Sequence, residues 1–288
     1  MKVRIGVSLG IDGDTDPAAL AEAVAAMEEL RFDSLWLAER MTTPTPDPVP
    51  GLGFAAALTR RLKLGTGVMV LPGRNPAVVA KQLVTLDRLS GGRLLVTFGL
   101  GGEASERAAF PVPAGRRRGD VFDESLALVR SYVTGEAVDG VMLRPAPVQR
   151  PLEFWVAGTV PAAQRRAGRL ADGWLTSLIT PDEARQGREV VEAEAERAGR
   201  RMDPEHFGVS LAYADGSIPP PLQATIAARR PGVDPARLVP VGLPAAAALL
   251  AEYVEAGFSK FVVRPASAPA HWPPTLAAMA ATFLPLQS

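Results

Sequence analysis

The chain has 288 residues, is 47% hydrophobic and carries 31 basic against 31 acidic residues. An even charge with no basic stripe argues against a nucleic-acid partner, and the lack of any cysteine excludes disulfides and thiolate chemistry. No apolar run approaches the roughly 18 residues of a membrane span, and the N-terminus lacks a signal-peptide pattern, so a cytoplasmic, non-membrane protein is expected.

The elements alternate along the chain. Val3–Leu9 reads as a strand, and Asp16-Pro17 caps a helix running to Glu29. Phe32–Leu37 is a second strand, followed by a short helix over Gly53–Arg60. Leu64–Leu71 is the third strand. Its glycines, Gly65 and Gly67, mark a bulge or a close approach by a backbone or ligand. Asn75-Pro76 starts the next helix, with Val79, Leu83, Leu86 and Leu89 at helical spacing. Arg93–Phe98 is strand four. A glycine-rich loop leads to a helix around Asp120–Tyr132, and Val138–Val148 reads as a hairpin-like excursion. Glu153–Ala157, Gly173–Ser177, Phe207–Tyr213 and Lys260–Val263 complete the strands. Helices fall at Pro161–Ala171, Pro181–Gly199, Pro244–Ala256 and Pro274–Phe283, and residues 214–240 read as a proline- and arginine-rich inserted segment.

Eight short apolar strands alternating with helices fit a (β/α)8 TIM barrel with loop insertions at its C-terminal face, formed as a single domain over residues 1–288. A doubly wound open sheet is the rival, weakened by the lack of G-x-G-x-x-G after strand one. In a barrel the chemistry gathers at the C-terminal strand ends. Those ends carry Glu39-Arg40, Gly67–Val70, Gly99–Glu103, Gly158-Thr159, Thr176-Ser177 and Arg264. Glu39 is either a proton-handling acid or a partner for Arg40. The turn at Gly99–Gly102 is either a plain loop or a backbone approach to a ligand. Gly158–Pro161 leads into a helix that is either an ordinary proline-started one or one whose free amides hold an anion, with Ser177 as a nearby hydroxyl and Arg264 as either a clamp or an acid's partner. The three tryptophans near strands, Trp36, Trp155 and Trp174, read as packing. His206 and His271 supply no metal ligand set.

Several stretches then converge. FDSLWLAER, RLKLGTGVMVLPGRNPAVVAKQLVTLDRLSGGRLLVTFGLGG, RRRGDVFDESLALVRSYVTGE, FWVAGTVPAAQRRAGRLADGWL and YVEAGFSKFVVRP occur in that order between residues 3 and 265. Together they resemble the luciferase-like monooxygenase superfamily, in particular its coenzyme F420-dependent oxidoreductases. The resemblance implies a non-proline cis peptide at Gly67–Val68 beneath the cofactor ring, with Val70 beside it. It places Glu39 near the ring, Gly101 and Gly102 against the cofactor, and Glu106 at a position polar toward it. It assigns the phosphate to Thr159, Val160, Ala162, Ala163 and Ser177. Two departures stand out. Arg40 replaces a histidine used in proton transfer, and Thr180 replaces a phosphate-binding lysine, leaving Arg264 to supply charge. The implied activity is hydride transfer between coenzyme F420 and a small organic substrate, in a protein that is often a homodimer. An FMN-dependent monooxygenase is one alternative; a barrel that has lost redox function and binds a ligand or partner is another.

Overall fold

The computed structural model describes residues 1–10, 16–102 and 104–288. In chain order the elements begin β1 (Arg4–Ser8), α1 (Pro17–Glu29), β2 (Ser34–Leu37), α2 (Pro48–Leu58), β3 (Lys63–Thr66), β4 (Met69–Val70), α3 (Pro76–Leu89) and β5 (Leu94–Gly99). They continue α4 (Ala104–Ala108), α5 (Arg118–Thr134), β6 (Phe154–Ala157), α6 (Pro161–Leu170), β7 (Gly173–Ser177), α7 (Pro181–Arg197), β8 (Phe207–Tyr213), α8 (Pro220–Arg229), α9 (Leu243–Glu255), β9 (Lys260–Pro265) and α10 (Trp272–Phe283).

The ladder runs β3-β2-β1-β9-β8-β7-β6-β5-β4, with β3 also bonded to β5. Every pairing between named strands is parallel. β3 and β4 therefore occupy one position in the wall, and the sheet closes as an eight-position (β/α)8 barrel. This is the architecture expected from the strand–helix alternation.

Local chemistry sets the element ends. Asp16 accepts from the Ala19 amide at 2.8 Å and Asn75 from the Ala77 amide at 2.9 Å, each with proline at the first helical position. α2 starts five residues earlier than its glycine-rich sequence suggests, because Asp47-Pro48 makes the same cap-and-proline start, with Asp47 accepting from Val49 at 2.9 Å. In α3, Val79, Leu83 and Leu86 are buried as their spacing predicts, but Leu89 is 68% exposed. Only the isolated antiparallel bridge Val138–Val141 remains of the expected hairpin.

The barrel interior explains the strand glycines. Trp36, Trp155, Leu175 and Val262 form a cluster of their own, separate from the larger core between sheet and helices. Trp36 lies in register with Gly65, and Trp155 with Gly173. A Cβ at Gly65 would meet Trp36 ring atoms at 2.4–2.7 Å, and one at Gly173 would meet Trp155 at 2.2–2.6 Å. Each indole occupies the space a side chain would take across the ladder. The close neighbour of Gly65 is thus a tryptophan, not a ligand. Trp174, by contrast, faces the helices, packing with Phe207 and Phe258.

Residues 214–240 are tied down. Ala214 bridges to Val241, α8 follows, and Ile218, Ile226, Leu238 and Val239 bury against Ala212 and Ala214 at the end of β8. Arg230 donates to the Leu178 carbonyl at 2.7 Å and pairs with Glu183, while Arg237 makes a two-pronged pair with Glu252 at 2.7 and 3.0 Å.

Candidate functional site at the barrel mouth

The third wall position breaks between Thr66 and Met69. The peptide bond joining Gly67 to Val68 is cis, and both residues are half-buried while Gly65, Thr66, Met69 and Val70 on either side are buried. The break sits among the other strand ends. The Glu39 amide donates to the Val68 carbonyl at 2.9 Å, and the Gly67 amide to Leu37 at 2.8 Å. Val68 leans over β5, where a Cβ on Gly99 would meet Val68 Cγ2 at 2.7 Å. Glycine at position 99 therefore makes room for the break.

Glu39 is a buried acid, its side chain only 2% exposed. One oxygen accepts the Val70 amide at 2.7 Å, and the other pairs with Arg74. Burial pushes its carboxyl up to about 7, against the pull of Arg74 and the Val70 amide and with a further push from Asp47. Its partner is thus Arg74, not the adjacent Arg40. Arg74 also donates to the Val70 carbonyl at 2.9 Å and stacks 4.9 Å above the Phe110 ring. Position 74 had a readable signal in the PGRNP turn. Gly73 (φ +89°) lets that turn abut the Phe110 backbone, where a Cβ would lie 2.6 Å away.

Glu106 lies on α4, a short helix absent from the sequence reading. Its carboxylate accepts from the Met41 amide at 2.9 Å and the Thr42 hydroxyl at 2.6 Å. Burial raises its pKa, but these donors and Arg40 outweigh burial and hold it below the usual range. Glu106 therefore spends its hydrogen bonds on the loop after β2. Arg40 is half-buried and contributes to that field. Gly101 (φ +83°) and Gly102 turn away from β5, and the Gly102 carbonyl accepts from Arg107 at 2.7 and 3.1 Å. Arg118 ties this turn to its neighbours by donating to the carbonyls of Leu100 and Phe110, at 2.5 and 2.7 Å. Glu103 lies outside the described residues.

Across the mouth, α6 begins without a side-chain cap. Val160, its N-cap, is 62% exposed, Ala162 is exposed, and Ser177 at the end of β7 is exposed beside them. The Thr159 hydroxyl meets Thr176 Oγ1 at 3.1 Å and donates to the Ser177 carbonyl at 2.7 Å, bracing the loop. The Ala163 amide already donates to Val160 at 2.8 Å, so it is the least open of the amides assigned to an anion. Gly158 (φ +136°) permits the approach, since a Cβ there would lie 2.6 Å from Ala163 Cβ. Thr180 is not a spare position but the N-cap of α7, closed in a reciprocal box with Glu183. Arg230, just after α8, pairs with Glu183 of that box. Arg264 is half-buried at the end of β9 and donates to the Pro265 carbonyl at 3.3 Å.

A cavity of about 230 Å³ lies between α5 and α6, with Glu194 of α7 also in its wall. Its charges are largely paired, Arg117 with Asp120 and both Arg166 and Arg169 with Asp123. It reads as a clasp between helices, with Ala162 at its rim. Among the described residues, no group of three acidic, histidine or cysteine side chains is placed to hold a metal ion. No described helix is long and apolar enough to cross a membrane.

The profile of the luciferase-like monooxygenase family matches residues 2–216. The chain belongs to that family. Among its luciferase-like relatives is an F420-dependent glucose-6-phosphate dehydrogenase of Nakamurella multipartita, 31% identical over 210 residues, or 65% of this chain and 60% of the relative. The chain spans about three fifths of the length of the curated relatives it matches. Two solved structures share the fold. An F420-dependent secondary alcohol dehydrogenase with an F420–acetone adduct aligns at TM-score 0.78 and 19% identity, covering 98% of this chain and 97% of that one. The oxygenating constituent of the Pseudomonas putida 3,6-diketocamphane monooxygenase, with FMN, aligns at 0.77 and 16%, covering 100% and 99%.

Proposed function

We propose that this luciferase-like protein is a coenzyme F420-dependent oxidoreductase, exchanging hydride between the deazaflavin and a small organic substrate at the barrel mouth. The observation that carries the reading is the pairing across one mouth of two features suited to one ligand. The half-exposed gap at Gly67 and Val68 between β3 and β4 would receive a ring, and the uncapped start of α6 offers amides to a phosphate. The F420-dependent name of the Nakamurella relative favours the deazaflavin over FMN.

The residues present fit such a cofactor. Gly67, Val68 and Val70 would lie against the ring, and the turn at Gly101 and Gly102 would flank it. Thr159, Val160 and Ala162 would hold the phosphate by their backbone, Ser177 by its hydroxyl, and Arg264 would add charge. The cofactor supplies the hydride chemistry, and the protein supplies orientation and electrostatics. A guanidinium is a poor proton carrier, so Arg40 would orient negative charge rather than move a proton. The deciding experiment is fluorescence titration with F420 and separately with FMN. Micromolar binding of F420 with weaker FMN binding is expected. A preference for FMN, with oxygen uptake by the reduced protein, would replace the reading with a monooxygenase. Binding of neither would overturn both and leave a ligand-binding barrel.

We also propose a homodimer. α2 is apolar on every side, yet Phe54 and Leu58, one turn apart, are 38% and 46% exposed. A helix apolar all round is expected to be covered.

A further inference from the structure

Among the described residues, β4 has a strand neighbour on one side only. β3 pairs with both β2 and β5, whereas β4 pairs with β5 alone. On its open side the hydrogen-bonding groups of Val70 are met by two side chains. Glu39 Oε2 accepts the Val70 amide at 2.7 Å, and Arg74 Nε donates to the Val70 carbonyl at 2.9 Å. The circuit closes where Arg74 meets the other oxygen of Glu39. Glu39 reaches the same segment again through its own amide, which bonds the Val68 carbonyl. Phe110 fixes the plane of the guanidinium from above.

The plain alternative is a buried ion pair that only stabilises. Buried pairs are poor sources of stability, because desolvating two charges offsets most of their attraction. This pair aims both its side chains at Val70, at the strand end that faces the mouth, while the Glu39 carboxyl also meets Asp47. We propose that Glu39 and Arg74 are positioning residues: together they replace the missing strand neighbour of β4 and hold Val68–Val70 in the shape against which the cofactor ring rests. Glu39 then transfers no proton. This inference rests on the cofactor reading above.

The test uses the full chain, with R74M, E39Q and the double variant. R166M serves as a control, because it breaks another buried pair, Arg166–Asp123, on the outer wall. Three readouts are taken: the F420 dissociation constant, the circular dichroism induced in bound F420, and Tm. R74M and E39Q should each weaken F420 binding about tenfold or more and reduce the induced dichroism, with the double variant no worse than the weaker single. R166M should lower Tm while leaving both binding readouts unchanged. If R74M does not fold, R74K takes its place. A lysine keeps the charge but not the fork, so the same loss is expected. Wild-type affinity within about twofold in R74M and E39Q, or fully additive losses, overturns the proposal. Failure of the wild-type protein to bind F420 or FMN overturns the cofactor reading itself and the clamp with it. Binding by wild type with undisturbed variants overturns the clamp alone.

Discussion

Gly65→Ala is the sharpest probe of the barrel interior. The added methyl would lie 2.4, 2.5 and 2.7 Å from three ring atoms of Trp36, all inside contact distance. The indole has no room to retreat. It is 1% exposed, its Nε1 donates to Ser34 Oγ at 2.9 Å, and on its far side a Cβ at Gly6 would lie 2.7 Å from that nitrogen. Relief therefore requires a shift of β2 or β3, and the cost belongs at the upper end of overpacking, about 3 kcal/mol. For a chain of this size that lowers Tm by about 5 °C. Gly53→Ala is the internal standard. A Cβ there meets nothing within 4 Å inside α2, so helix propensity should make it stabilising by up to about 1 kcal/mol. Trp36→Phe in the G65A background should recover part of the loss, giving a favourable coupling between the two positions. Urea unfolding of wild type, G53A, G65A, W36F and the G65A/W36F double variant measures all of this. A G65A protein within about 0.5 kcal/mol of wild type would refute the claim that Trp36 is why position 65 is glycine.

The remaining predictions concern the mouth and the surface. Gly158→Ala forces a Cβ to within 2.6 Å of Ala163 at φ +136°, so it should weaken binding of phosphate-bearing F420 more than that of the phosphate-free deazaflavin, read by parallel titrations. Burial raises the Glu39 pKa to about 7, so the folded protein binds this proton more tightly than the unfolded chain does. The resulting stability is fully present below about pH 4.5 and is lost as pH rises through 7. Urea midpoints between pH 5 and 8 should therefore fall less steeply for E39Q than for wild type, and parallel slopes would contradict this. Arg230→Ala removes the bonds to Leu178 and Glu183, so amide exchange across α8 should accelerate while exchange in β8 does not. Leu58→Glu should convert the dimer to a monomer by light scattering, and a wild-type protein already monomeric would remove that proposal.

Much of the fold was legible because parallel strands buried on both faces leave continuous apolar runs. GWLTS and FGVSLAY coincide with β7 and β8 to the residue. Other boundaries depended on caps. Asp47-Pro48 carries the same signal as Asp16-Pro17, but it lies in a proline-rich loop that hides it. The partner of the glycines was not legible, because Trp36 meets Gly65 through cross-strand register, which sequence spacing does not encode. At the mouth, strand ends could be read from periodicity, which placed Glu39, Arg40 and Gly101 there. The pairing of Arg74 with Glu39 was not legible, because the two lie 35 positions apart. The docking of residues 214–240 was equally hidden, since it rests on Arg230 reaching Leu178 and on a small apolar cluster at the end of β8.

The most direct measurement is a crystal structure of the protein soaked with F420. The account predicts the ring against Gly67–Val70 at the mouth and the phosphate at Val160 and Ala162, at the start of α6. A ring held elsewhere, or a phosphate in the arginine-lined cleft between α5 and α6, would contradict it.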